Sequence, residues 1–130
     1  MKRQLTITTE PIDEGALLSK RKMSDSMGAA VYFLGVVRGT ENNESIRAIE
    51  YEAFHRMAEH QFDLLFDQME KRWPIESARL IHRVGVVRVN EPSLWVEVVA
   101  PHRGEAFEAC QWLIDEMKRA VPIWKKPLSC

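Results

Sequence analysis

The side chains of this chain best suited to chemistry are cations, and they stand where folded proteins tend to hold anions. Pro101-His102-Arg103 falls at an expected strand-to-helix junction, where unpaired backbone N–H groups and the helix dipole favour negative charge. An imidazole and a guanidinium there form a clamp for phosphate or carboxylate. The plainer reading is that they cap the helix or pair with Glu105 and Glu108. Lys118 ends an amphipathic stretch, where the dipole favours a cation in any case. Lys125 and Lys126 follow Pro122-Ile123-Trp124, an apolar segment that should anchor the chain and so place the two lysines. A lysine held among other cations, or partly desolvated, loses proton affinity and can act as a base or nucleophile near neutral pH. A solvated basic tail is the plainer alternative.

Arg38 closes an apolar segment, and strand ends often point side chains into a ligand cleft; an ordinary surface arginine would look the same. His82-Arg83 lies inside an expected strand and reads as structural rather than catalytic. His55 and His60 read as exposed helix positions, and Trp95 and Trp124 as core aromatics rather than stacking platforms. Cys110 falls on an apolar helical stripe as a packed thiol, and nothing near Cys130 would activate it.

These groups need elements to hold them. Leu5 to Thr9 alternates apolar and polar and predicts a strand, followed by a helix over about 13–22. Gly28 to Val37 is almost wholly apolar and rich in β-formers, which predicts a central strand covered on both faces. Thr40 to Ser45 has no apolar residue and reads as a mobile loop before a strand over 46–53. Apolar residues at 58, 62, 65, 66, 69 and 73 predict a helix from about His55 that Pro74 terminates. Strands over 79–89 and 94–100 are joined by the turn-like Asn90-Glu91-Pro92-Ser93. A second amphipathic helix over 103–119 carries Ala106, Phe107, Cys110, Leu113, Ile114 and Met117. The order β-α-β-β-α-β-β-α predicts an α+β fold with a mixed, mainly antiparallel sheet and helices packed on it.

A length of 130 residues fits one domain, residues 1–130. No apolar stretch approaches the roughly 20 residues of a membrane span, and the N-terminus lacks a signal-peptide core, so a cytoplasmic, non-membrane protein is expected. The two cysteines lie in no metal-ligand or disulfide pattern. Eighteen Lys and Arg against nineteen Asp and Glu argue against general nucleic-acid binding. The balance is uneven along the chain, since residues 41–70 hold eight acidic side chains and two basic ones.

Several blocks occur together in order: Gly28-Ala29, Phe33-x-Gly35-x-Val37-Arg38, Tyr51-Glu52-Ala53-Phe54, His82-Arg83-Val84-Gly85, His102-Arg103-x-x-Ala106-Phe107, Ile114-Asp115-x-x-Lys118 and Pro122-Ile123-Trp124-Lys125-Lys126. Across residues 28–126 they closely resemble the large, catalytic subunit of molybdopterin synthase. The resemblance implies an α/β-hammerhead-like fold. It also implies sulfur transfer to precursor Z, a cyclic pyranopterin monophosphate, to build the dithiolene of molybdopterin. Each sulfur would arrive as a thiocarboxylate on the C-terminus of a small ubiquitin-like subunit, and two large subunits would form the central dimer of a heterotetramer. By the same resemblance Lys118 and Lys125 are the catalytic pair. Arg38, His102, Arg103 and Lys126 would bind substrate with them, beside the Val36-Val37 backbone. Neither a metal nor a resident cofactor is implied, and no cysteine of this chain is needed. The chain departs from the family pattern at Phe54 (commonly Tyr), at Asn90 (usually Gly), at Pro127 (typically acidic) and in segment 40–45, which lacks a glycine.

Overall fold

Buried Ala58, Phe62, Leu65, Phe66 and Met69 turn the predicted helical stripe into the inner face of α2 (His55–Arg72) in a computed structural model that describes residues 1–130. The matching stripe of α3 (Arg103–Ala120) buries Ala106, Ala109, Cys110, Leu113, Ile114 and Met117. Phe107, expected on that face, is instead 60% exposed. Both helices pack on one face of a four-stranded sheet ordered β1 (Lys2–Thr8), β5 (Ser77–Arg83), β7 (Pro92–Ala100), β2 (Ala29–Val36). Only β1 and β5 run parallel; the other pairs are antiparallel, so the sheet is mixed and the fold α+β. This interface forms the main core of nineteen buried residues. None of the helices is long and apolar enough to cross a membrane.

A second sheet is built on β4 (Glu44–Ala53), which pairs with β6 (Gly85–Arg88) and β8 (Ile123–Ser129), and at its start with β3 (Thr40–Glu41). Val37, Ile46, Ile49 and Val87 form its small core.

The other face of the first sheet holds a buried polar group. Arg79 Nε and Nη2 donate to the two oxygens of Glu97 at 2.6 and 2.7 Å, and Tyr32 donates to the same carboxylate at 2.7 Å. Arg79 also donates to the carbonyl of Leu17 in α1 (Glu14–Ser19), which ties that short helix to the sheet.

Five local expectations change. The helix predicted over 13–22 is shorter: Asp13 caps it through the Ala16 N–H, and it stops at Ser19. β2 lies at a sheet edge, with Phe33 36% and Val36 42% exposed; a continuous apolar run fits an edge strand as well as a covered one. The segment 40–45 is a hairpin whose turn residues, Asn42 and Asn43, take φ of 52° and 65°. Asparagine tolerates that left-handed region, so no glycine is required. The stretch predicted as one strand over 79–89 crosses between sheets: β5 ends at Arg83, and β6 begins at Gly85, whose φ of 85° makes the bend. Finally, β8 was not expected. It pairs with β4 from Ala53–Ile123 to Ile46–Ser129, and its edge position accommodates Pro127.

Candidate active site

Where the two sheets meet at the C-terminal end of α3, they enclose a cavity of about 670 Å³. The end of β2 with Arg38, Glu41 of β3, Tyr51 of β4, His82 of β5, Ser93 of β7, Lys118 of α3 and Lys125 of β8 all line it. Local chemistry explains this convergence. The last helical turn of α3 is closed by the Val121 N–H donating to Met117 O, and Phe54 N–H holds the Pro122 carbonyl at 3.3 Å. That leads the chain directly into β8 beside β4, in a register that sets Lys125 opposite Tyr51. Successive strand side chains point to opposite faces, so Lys126 projects away from Lys125 and does not line the cavity.

Three cations and one carboxylate therefore share the cavity. Lys125 Nζ lies 3.0 Å from Glu41 Oε1. Arg38 and Lys118 make no ion pair, which leaves the site net positive. Val37 backbone is already occupied: its N–H donates to Glu91 O at 3.1 Å, and its carbonyl accepts from Asn90 N–H at 2.8 Å. Asn90 makes that turn at φ 72°, the conformation for which glycine would be the usual choice. Val36 side chain is 42% exposed at the rim.

His82 is 5% exposed, its Nδ1 2.8 Å from Arg83 O and its ring edge-on to Tyr51 at 5.3 Å between centroids. Burial pushes its pKa below the ordinary 6.5 and so favours the uncharged ring, opposed in part by the backbone contact to Arg83, which favours the charged one. In that neutral form Nδ1 carries the proton and donates to the carbonyl, so Nε2 keeps its lone pair. Glu41, Tyr51, His82 and Ser93 were not expected here. A signal for His82 exists in its motif, but a strand interior gives no reason to place it in one cavity with Lys118.

His102 and Arg103 lie elsewhere. β7 runs from the cavity end, where Pro92 pairs with Val36, to Ala100 beside Ala29, roughly 26 Å at about 3.3 Å per residue. Along α3, Arg103 and Lys118 are separated by about 22 Å at 1.5 Å per residue. His102 is paired with Glu105 at 2.8 Å, and Arg103 has no partner. Of the six cations Arg38, His102, Arg103, Lys118, Lys125 and Lys126, one chain brings only Arg38, Lys118 and Lys125 into one cavity.

Cys110 is buried, its thiol pushed up to about 11, and Cys130 is exposed. No group of three or more His, Cys, Asp or Glu converges as a metal site.

The family model described as "MoaE protein" matches residues 7–120. A molybdopterin synthase catalytic subunit from Thermoplasma volcanium is 38% identical over 122 residues, covering 94% of this chain and 88% of the relative. One from Bacillus subtilis is 34% identical over the same length, covering 94% and 77%. The crystal structure of molybdopterin synthase from Staphylococcus aureus superposes with a TM-score of 0.89 at 32% identity, covering 100% of this chain and 93% of the other. A protein–protein complex of subunits 1 and 2 of the molybdopterin-converting factor from Helicobacter pylori shares the fold, with a TM-score of 0.78 at 21% identity over 97% and 89% of the two chains.

Proposed function

The chain belongs to the MoaE family, the catalytic subunits of molybdopterin synthase, and from that premise we propose how its cavity works. In a cytosolic heterotetramer, a small ubiquitin-like subunit inserts its thiocarboxylated C-terminus and passes sulfur to precursor Z, building the dithiolene of molybdopterin. The observation that carries this reading is the convergence of Lys118 and Lys125, from a helix and a strand, with Arg38 in one net-positive cavity. Its volume lies within the roughly 300–1,000 Å³ of small-molecule sites. A thiocarboxylate and a phosphate are both anions, and preorganised cations stabilise the charge that develops as the acyl carbon parts from sulfur. Lys118 and Lys125 fill that catalytic role and contact substrate, while Arg38 binds substrate at the rim beside Val36.

His102 and Arg103, at the far end of β7, cannot serve the cavity of their own chain. In a central dimer they serve their partner's, each copy lending the start of its α3 to the phosphate bound by the other. A two-fold assembly supplies such an exchange twice over. Lys126, on the opposite strand face from Lys125, holds substrate only through the same assembly.

The test is to mix the protein with thiocarboxylated small subunit and precursor Z and assay for dithiolene. Product at a rate comparable to an authentic synthase is expected; no product under conditions where that synthase works would overturn the reading.

A further inference from the structure

We propose that His82 is the general base for the water that frees the partner's C-terminus from the sulfur it has delivered. The inference rests on the sulfur-transfer reading above and adds a catalytic residue to it. Once the thiocarboxylate sulfur has bonded to the pterin side chain, it is still joined to the acyl carbon of the small subunit's tail. Release requires water to add to that carbon. The water proton goes to His82 Nε2, the acyl C–S bond breaks with its electron pair on sulfur, and the products are a pterin thiolate, a carboxylic acid on the tail and an imidazolium. No oxidant or reductant is needed.

The geometry sets His82 apart from its neighbours. Nδ1 is fixed 2.8 Å from Arg83 O, while Nε2 has no protein partner and remains accessible in the cavity wall although the residue is only 5% exposed. Fixing one ring nitrogen by a backbone carbonyl selects the tautomer and orients the other. The remaining ionisable groups that face the cavity are committed to other tasks. Arg38 at the end of β2 has no lone pair to offer. Glu41 of β3 is bound to Lys125 of β8, and Tyr51 of β4 donates to Ser93 Oγ at 3.4 Å. Lys118 of α3 and Lys125 bring donors that suit the oxyanion and the departing thiolate. His82 alone presents an unshared acceptor on a buried, uncharged ring.

The experiment uses the full complex: this protein, thiocarboxylated small subunit and precursor Z. Single turnovers of wild type, His82→Gln and His82→Ala are followed by mass spectrometry of the covalent adduct between tail and pterin, with thermal melting as a check on folding. The expected result is normal adduct formation and release slowed by about 100-fold or more in both variants, the usual span of a positioned base. Added imidazole should restore release in His82→Ala. In wild type the release rate should rise through an ionisation below 6.5, a step that His82→Gln loses. Release at the wild-type rate, or a loss shared equally by adduct formation and release and untouched by imidazole, would overturn the role of His82 alone. A wild-type protein that forms neither adduct nor product would overturn the sulfur-transfer reading and this one with it.

Discussion

Replacing Glu41 with glutamine removes the only carboxylate that lines the cavity while keeping the side chain's size. Glu41 Oε1 lies 3.0 Å from Lys125 Nζ, so an anionic ligand oxygen on the far side of that ammonium sits about 3 Å further on, roughly 6 Å from the carboxylate. Two like charges at about 6 Å repel by ~2.8 kcal/mol at an effective dielectric of about 20 and by ~0.7 kcal/mol in bulk water. Glu41 side chain is 14% exposed and Lys125 54%, which places the pair between those limits. Glu41→Gln should therefore tighten binding of precursor Z by a factor of about 3 to 100. Calorimetric titration at low ionic strength measures this directly. The gain should shrink as salt is raised, because screening at 0.15 M acts over about 8 Å. Unchanged or weaker affinity at low salt would refute the argument, since it would mean that the ligand's charge does not approach Lys125.

Other outcomes follow from the same geometry. Lys118→Ala and Arg103→Ala should each be impaired alone, yet mixing and re-equilibrating equal amounts should recover about a quarter of wild-type activity. Half the dimers are then mixed, and one site in each has both groups intact; no recovery would place the two groups in a single-chain site or in separate roles. Glu97→Ala strands Arg79 in the sheet and should cost about 3–5 kcal/mol in urea unfolding, whereas the paired change Arg79→Met with Glu97→Leu should cost far less. For His82 the folded-state pKa lies below the ordinary 6.5, so below that pH the unfolded chain binds the proton first. Its stabilising contribution is fully present above 6.5 and is lost as pH falls toward the folded value. Melting temperatures recorded across that window should decline in wild type and flatten in His82→Gln.

The helices were legible because α2 and α3 each keep an apolar residue every three or four positions, a period that only a helix satisfies. The strand at 123–129 was not: Trp124-Lys125-Lys126-Pro127 has no alternation, and its place is set by β4, seventy or more residues earlier. The segment 40–45 hid a hairpin because asparagine at a left-handed turn carries no apolar signal. The residue types mark six cations, but their spacing does not show that one chain gathers only Arg38, Lys118 and Lys125 in one cavity. The helix predicted over 103–119 already sets Arg103 and Lys118 four turns apart; which of its ends faces a cavity is decided by the second sheet, which linear spacing does not show. His82 reads as structural because strand interiors usually are, and only the bend at Gly85, which brings the second sheet against the end of β5, gives that strand a cavity to face.

β8 reaches the rest of the protein mainly by its ladder to β4, and only Ile123 of its residues packs against the main core. Segments held this way open at lower free energy than the whole molecule unfolds. When β8 frays, Lys125 leaves the cavity while the nineteen-residue core stays intact. Catalytic competence then has its own melting curve, lower than that of the fold. Amide hydrogen exchange should find β8 the least protected of the long strands, and a protein warmed toward its transition should fall silent before it loses its shape.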